Sequence, residues 1–384
     1  MIWPTKKLGE VCEVVGGGTP STGIKTYWDG DIVWVTPKDM GQLLSGEIGD
    51  TTKKITQQGV DNSSAKLLPA GSVILSSRAP IGYLAINTVP MATNQGCRSF
   101  VCGDQIFNKY LYYFLIKSRD YLQTLGSGST FLEVPGSRLK EIEIPLPPIE
   151  EQRRIVKKLE KKFAKIDEAA RLRAQSETAT AALLPAALHE IFSQSESKGW
   201  NEKEFSEVVT VEAKKNAKKL PYVGMEDVES GTGKFLGSRE VREVRSSTSY
   251  FSSEHVLYGK LRPYLNKFLL PDFEGHCSTE FLPLRPDTKF LTREWLVMWL
   301  RSNEIVARIN ATGAGARMPR ANMKEVAKFK IPLPSLAEQK AIVKKLDALS
   351  EKVRALRELQ SAQSADLKSL KQSILHEAFS GGVE

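Results

Sequence analysis

One stretch of this chain is written twice. The first copy runs Ile144-Pro145-Leu146-Pro147-Pro148-Ile149-Glu150-Glu151-Gln152-Arg153-Arg154-Ile155-Val156-Lys157-Lys158-Leu159. The second runs Ile331-Pro332-Leu333-Pro334-Ser335-Leu336-Ala337-Glu338-Gln339-Lys340-Ala341-Ile342-Val343-Lys344-Lys345-Leu346. The offset is 187 (331 − 144), close to half of the 384 residues. It holds without a gap to Leu188-His189-Glu190 and Phe192-Ser193, which fall on Leu375-His376-Glu377 and Phe379-Ser380. A solenoid unit recurs every few tens of residues, so this period belongs to the doubling of a larger unit. The chain carries an internal pseudo-twofold repeat.

Each copy reads as an extended approach followed by a long helix. Pro145, Pro147 and Pro148 forbid a helix before residue 149. Glu150 and Glu151 then place negative charge in the first turn, where the helix dipole favours it. Apolar residues follow at three- and four-residue steps: Ile155, Leu159, Phe163, Ile166 and Ala170. The second copy answers with Ile342, Leu346, Val353, Leu356, Leu367, Leu370 and Ile374. Lysines surround the stripe, giving an amphipathic helix with a coiled-coil-like seam. The spacing predicts about 40 residues per helix, or roughly 60 Å. Two such helices most simply bury their seams on each other. Packing of each stripe on its own domain is the alternative.

The segments between the helices are unlike each other in text and alike in plan. Trp3-Pro4-Thr5-Lys6-Lys7-Leu8-Gly9-Glu10-Val11 starts the first, and Trp200-Asn201-Glu202-Lys203-Glu204-Phe205-Ser206-Glu207-Val208 starts the second, at an offset of 197 (200 − 3). In the first, Gly16-Gly17-Gly18-Thr19-Pro20 is a loop, and the Asp29-Gly30 pair before Ile32 to Val35 predicts a hairpin. A strand-rich block is expected at Gly71 to Ser77 and at Gly82 to Ile86, then a helix at Asn108 to Leu115 and a loop at Gly126-Ser127-Gly128-Ser129. In the second, Val256 to Tyr258 and Phe268 to Leu270 read as strands, Arg293 to Ile309 as one helix, and Thr312-Gly313-Ala314-Gly315-Ala316-Arg317 as the matching glycine loop. The expected divisions are a mixed α/β domain at 1–143, a helical spacer at 144–199, a second mixed domain at 200–330 and a second spacer at 331–384.

Composition narrows the function classes. A net charge of +9 and a pI near 9.2 favour a polyanionic partner without identifying it. No apolar run approaches membrane-spanning length, and the N-terminus has no signal-peptide core. Cys12, Cys97, Cys102 and Cys277 have no metal-ligand spacing, so a reduced, cytoplasmic setting is expected and no metal. No lysine with serine or threonine completes a P-loop after Gly16 to Gly18, and Gly231-Thr232-Gly233-Lys234 lacks the upstream glycine. The four histidines form no dyad, His276-Cys277 are adjacent, and no G-x-S-x-G elbow occurs. No Asn-Pro-Pro-Tyr-like tetrapeptide is present either, so no catalytic residue is assigned. What remains is cations beside aromatics. In the first segment these are Tyr27, Trp34, Lys38, Arg78 and Arg98, with Thr19, Gln95 and Ser127 as polar partners. In the second they are Lys260, Arg262, Tyr264, Lys267, Arg317 and Arg320. Arginine and Gln or Asn suit guanine and adenine edges, while lysine suits phosphate. A solvated surface face is the plain alternative for any one of them.

This doubled pattern resembles the specificity subunit of type I restriction–modification enzymes. The likeness spans the whole chain and is carried by the two proline-to-helix stretches, by Gly16-Gly17-Gly18-Thr19-Pro20 and by Tyr27-Trp28-Asp29-Gly30-Asp31-Ile32-Val33-Trp34-Val35-Thr36-Pro37-Lys38-Asp39. It implies an α+β chain: two mixed α/β target-recognition domains joined by two long antiparallel coiled-coil helices. It further implies a non-catalytic reader of double-stranded DNA, with each domain taking one half of a bipartite, asymmetric target. Two modification (methyltransferase) subunits using S-adenosylmethionine would dock on it. Restriction and translocase subunits, with ATP and Mg, would join them, and this chain would bind no cofactor itself. One departure is Pro185, where the second copy has Gln372; an interior proline should kink or interrupt the first helix.

Binding should then fall steeply with salt, and the helices should act as a ruler. Four residues inserted in each would add about 6 Å and widen the target gap by roughly one or two base pairs. Two rival readings stay open: a coiled-coil protein-interaction scaffold without DNA readout, and a DNA-modifying enzyme. Absence of duplex binding with the partner present would select the first, and methyl transfer by the purified chain the second.

Overall fold

Each half of the chain begins by tying its start to the strand that leads into a long helix. Thr5–Lys7 pairs antiparallel with Glu143–Pro145, and Asn201–Glu204 pairs in the same way with Lys330–Leu333. The prolines therefore keep the approach extended, as their fixed φ requires. This computed structural model describes residues 3–43, 45–78, 80–127, 132–215, 219–241, 244, 246–313 and 317–380. Two compact units emerge: residues 1–172 with 363–384, and residues 173–362. The division runs through the long helices and not at their ends.

In unit 1 a four-residue helix, Leu8–Val11, turns the chain into a five-stranded sheet. Its order is Cys12–Gly16, Cys97–Cys102, Val73–Ser76, Leu84–Asn87 and Glu47–Ile48; the first four are antiparallel neighbours and the last pairs parallel. A three-stranded sheet holds Lys54–Ile55, Trp28–Val35 and Met91–Thr93. Unit 2 repeats the plan. Helix Phe205–Val208 leads into an antiparallel sheet ordered Val209–Val211, Phe281–Pro286, Val256–Gly259 and Phe268–Leu269. A smaller sheet joins Tyr222–Val223, Gly275–Ser278 and Thr248–Phe251.

The long helices are Ile149–Ser193, 45 residues, and Leu336–Phe379, 44 residues. Their starts are anchored by the glutamine of the repeated stretch. Gln152 is fully buried; its Oε1 accepts from the Phe107 N–H at 2.8 Å, and its Nε2 donates to the Gln105 and Pro147 carbonyls at 2.9 Å each. Gln339 does the same with the Thr292 N–H (3.0 Å), the Phe290 carbonyl (2.7 Å) and the Pro334 carbonyl (2.9 Å). An aromatic residue behind each approach segment completes the match: the Tyr110 hydroxyl donates to the Pro145 carbonyl and the Trp295 indole to the Pro332 carbonyl, both at 2.9 Å.

Each unit's core takes in the beginning of one long helix and the end of the other. In unit 1, Ile155, Val156 and Leu159 share a core with Leu375, Ala378 and Phe379, and Phe379 stacks against Tyr110 and Phe114. In unit 2, Val343 and Leu346 share a core with Leu188, and Phe192 packs on Trp295. The pairing is antiparallel in both. Asp167 bonds Lys371 in unit 1, while in unit 2 the Gln360 amide reaches Ser176 Oγ at 3.1 Å and Thr180 Oγ1 at 3.0 Å. The seam and the domain-packing alternative thus coexist on the same stripe.

Of the seam positions, Ile155, Leu159, Ile166, Leu346 and Val353 are buried, while Phe163 and Ile342 are half-buried. Leu356 is not on the seam, being 40% exposed, and Leu370 and Ala170 also face outward. The reason is the seven-residue step from Val353 to Gln360, which continues the contact line and leaves Leu356 to one side. Other expectations need correction. Asp29-Gly30 makes no hairpin: Trp28–Val35 is one strand with a bulge, in which Asp29 has φ +58 and the pairing register to Ile55 shifts. A Cβ at Gly30 would meet the Ile55 carbonyl oxygen at 2.6 Å, so the glycine permits close strand approach. The helix expected over 293–309 is two, Arg293–Arg301 and Asn303–Ala311, because Ser302 is extended (ψ 135) and its hydroxyl bonds the Trp299 carbonyl. Pro185 does not interrupt the first long helix; Leu184, Ala187, Leu188, Ile191 and Phe192 around it are packed into the unit 2 core. That burial outweighs the one lost backbone bond.

Candidate nucleic-acid interface

In unit 1 the candidates meet where two strand ends and a returning segment join. The Ser77 N–H donates to the Gly96 carbonyl at 2.8 Å, and the Val134 N–H donates to the Ser77 carbonyl at 2.8 Å. This brings Arg78, Gln95 and Arg98 around one carboxylate, that of Glu133. Arg78 donates to Oε2 at 3.1 and 2.5 Å, and Arg98 donates to Oε1 at 2.8 Å. Arg98 also donates to the Gln95 and Cys97 carbonyls, at 3.2 and 3.0 Å. The Thr19 hydroxyl donates to Gln95 Oε1, and Ser127 exchanges two backbone bonds of 3.0 Å with Glu133. Lys38 belongs to the neighbouring helix Pro37–Met40, whose Pro37 would stand 3.3 Å from a Cβ on Gly96. It is exposed and has no ion-pair partner among the described residues.

Two candidates in unit 1 are not part of this group. Trp34 is buried at 4% exposure, edge-on to Trp28, and donates its indole N–H to the Gly18 carbonyl at 3.0 Å; it is a core residue. Tyr27 is half-buried beside the helix Gln57–Asp61, its carbonyl accepting from Thr56 at 3.0 Å. The triple glycine does not cradle an anion either. The Gly17 and Gly18 amides are spent on the Cys97 and Thr93 carbonyls, and Cβ atoms there would fall 1.9 Å from the Asn94 oxygen and 2.2 Å from the Ala65 nitrogen. Beside this loop a shallow cavity of about 470 Å³ is lined by Gly16, Gly17, Ser64, Lys66, Arg98 and Lys140, among others. Lys66 and Lys140 are exposed cations that the aromatic-neighbour criterion passed over.

Unit 2 builds the corresponding junction from different side chains. The Lys260 N–H donates to the Glu280 carbonyl and the Ala321 N–H donates to the Lys260 carbonyl, each at 2.9 Å, while the Arg262 N–H donates to the Pro319 carbonyl at 2.7 Å. Arg320 grips the Glu280 carboxylate through Nε at 3.2 and 3.1 Å and through its terminal nitrogen at 2.9 Å. Those hydrogen bonds hold the Glu280 carboxyl below the usual carboxylate range, against the opposing effect of partial burial. Arg262 takes a left-handed conformation (φ +49) at the start of the short helix Pro263–Leu265, leaving its side chain exposed and Tyr264 52% exposed. Arg317 is exposed too. Lys267 is committed elsewhere, donating to the Met225 carbonyl at 2.6 Å. Gly128 and Ser129 of the first glycine loop, and Ala314, Gly315 and Ala316 of the second, lie outside the described residues.

Glu133 and Glu280 are the residues that a search for cations missed. The signal was present, since Arg320 stands at the repeat position of Glu133, each just before the last short helix of its segment. Among the described residues no group of three or more His, Cys, Asp or Glu could hold a metal ion, and no helix is long and apolar enough to cross a membrane.

Comparison with known proteins gives the same doubled pattern. A family model described as "Type I restriction modification DNA specificity domain" matches residues 2–175 and again 197–363. The chain is 47% identical over 156 residues to the MjaIX specificity subunit of Methanocaldococcus jannaschii, covering 40% of this chain and 36% of that one. It is 34% identical over 163 residues to the EcoR124I/EcoR124II specificity subunit of Escherichia coli, covering 41% and 40%. The match thus spans well under half the length of these two relatives. The EcoDI specificity subunit of Escherichia coli is 26% identical over 420 aligned positions, covering 99% of this chain and 88% of that one. Two solved structures share the fold. One is a chain from work on complex assembly and conformational transition of the type I R-M system (TM-score 0.78, 24% identity, 99% and 98% coverage). The other is the HsdS subunit of Thermoanaerobacter tengcongensis (TM-score 0.60, 23% identity, 100% and 97% coverage).

Proposed function

The chain belongs to the type I restriction–modification DNA specificity family, and from that premise we propose that it is a sequence-specific reader of double-stranded DNA with no catalysis of its own. One observation carries the reading. The two cation-rich clusters, unlike in sequence, stand on junctions made by the same backbone hydrogen bonds in the two units. Two readers of one plan and different side chains suit a bipartite, asymmetric target.

In this reading Arg78, Arg98, Gln95 and Thr19 face one half-site, and Arg262, Tyr264, Arg317 and Arg320 face the other. Lys38, Lys66, Lys140 and Lys260 supply the phosphate contacts that set affinity and make it salt-dependent. Two modification subunits dock on the chain and methylate adenine with S-adenosylmethionine. Restriction and translocase subunits bring ATP and Mg. The complex works in the cytoplasm, where the chromosome and the four thiols would both be found. Expression with the methyltransferase encoded beside it, in a methylation-free host, tests this. Mapped methylated adenines should define a split, asymmetric motif with a fixed gap. No methylation from an assembled complex with an active methyltransferase would refute it.

A further inference from the structure

The shared junction carries a carboxylate–guanidinium clamp in both units, with the charges exchanged between its sides. In unit 1 the acid, Glu133, lies on the returning segment; the base Arg98 lies on strand Cys97–Cys102 and Arg78 two residues past strand Val73–Ser76. In unit 2 the returning segment carries the base, Arg320, and the acid, Glu280, stands in the turn just before strand Phe281–Pro286, where unit 1 has Gly96 before Cys97–Cys102. The backbone bonds fix this correspondence: Ser77 to Gly96 answers Lys260 to Glu280, and Val134 to Ser77 answers Ala321 to Lys260. The bridges Arg78 with Glu133 and Leu261 with Arg320 complete it.

The Arg78 and Arg320 pairs contribute little to folding, because the two guanidinium groups are 44% and 49% exposed; only Arg98, at 20%, is largely covered. Their effect is geometric. Glu133 gives one oxygen to Arg78 and the other to Arg98, so a single carboxylate fixes two forks relative to each other. Glu280 takes both faces of one fork. A guanidinium reads a base edge through two donors in a plane, so its orientation decides whether it discriminates or merely attracts. A carboxylate at the same spot repels the phosphate chain whatever its sequence.

We propose that Glu133 and Glu280 are positioning residues for DNA readout, each setting the discrimination of its own half-site while lowering affinity for DNA in general. This rests on the DNA-reading function above. The test uses the complex assembled with its modification subunits, either wild type or carrying Glu133→Gln or Glu280→Gln. Binding to the mapped target and to scrambled duplex is followed from 50 to 200 mM salt, and methylated motifs are sequenced. Glu133→Gln should raise affinity for scrambled duplex severalfold and steepen the slope of log K against log salt by about one. The target-to-scrambled ratio should fall at least tenfold, with degenerate bases confined to one half-site. Glu280→Gln should do this at the other half-site. An unchanged ratio and slope in an assembled complex, or equal degeneracy in both halves, would overturn the assignment.

Arg78→Lys keeps the charge and loses the fork, so it should lower the ratio with the slope unchanged. If Glu133→Gln fails to assemble, this variant decides, and full discrimination by it overturns the proposal. A wild-type complex that binds scrambled duplex as well as any other would instead refute the DNA-reading function itself.

Discussion

Replacing Gln152 with leucine tests why the repeated stretch carries a Glu-Gln pair. The amide is fully buried and makes three hydrogen bonds, to the Phe107 N–H and to the Gln105 and Pro147 carbonyls. Each is worth about 1 kcal/mol net, and leucine, of similar volume, restores none of them. Gln152→Leu should therefore cost unit 1 about 3 kcal/mol. That corresponds to about a hundredfold larger opening equilibrium for the structure protecting the Phe107 amide, and so to proportionally faster exchange. Hydrogen exchange followed by mass spectrometry on peptides spanning Phe107 reads this directly. Lys157→Ala, on the exposed side of the same helix, is the control and should shift the exchange less than threefold, because surface changes stay within about 0.5 kcal/mol. Gln339→Leu should produce the same effect at the Thr292 amide, which Gln339 accepts at 3.0 Å. Exchange at Phe107 within threefold of wild type in Gln152→Leu would show that the amide is replaceable and the anchoring argument wrong.

Phe379→Ala removes a ring that packs on Tyr110 and Phe114 and should destabilise unit 1 by about 3 kcal/mol, seen as a lowered midpoint in thermal melts. The Glu280 carboxyl is held low by Arg320, so its contribution is complete above the unfolded value of about 4.3 and is lost as pH falls through the folded value. Glu280→Gln should flatten the acid limb of the unit 2 stability profile by less than about 1 kcal/mol, and an unchanged limb would refute the coupling. Burial pushes the Cys97 and Cys277 thiols up to about 12, and the Cys12 thiol is raised by a hydrogen bond with the Cys102 thiol and by burial. Native alkylation at pH 8 should therefore label Cys102, the partly exposed thiol, before the other three, as intact-mass measurement would show.

The doubled plan was legible because its signals are local and repeated: prolines before a helix, an acidic first turn, and a glutamine at one fixed place. What misled was chemistry that depends on distant partners. Asp29-Gly30 has the composition of a turn, yet a bulge against Ile55 uses the same backbone freedom. Trp34 sits in the apolar strand run Ile32 to Val35, and only the fold shows Gly18 closing over it. Leu356 and Leu370 continue a helical stripe on paper, but the pair is held there by a narrow line that includes Gln360 and Thr180. Arg78 and Arg98 could be named from sequence as cations. The repeat marks Glu133 as the counterpart of Arg320, but that its carboxylate joins Arg78 and Arg98 could not be read, since the contact depends on how three separate segments meet.

Unit 2 is a single stretch of chain, whereas unit 1 is closed by residues 363–380, made only after all of unit 2. On the ribosome the order of folding should therefore run against the order of synthesis. The first domain must wait with Tyr110, Phe114 and Leu159 uncovered until Leu375, Ala378 and Phe379 arrive, while the second can close as soon as its own text is complete. A nascent chain of this design spends most of its synthesis with its first-made core open to whatever else is apolar nearby. The helper it calls for is one that shields early apolar surface, because speeding a late step would leave that surface bare just as long.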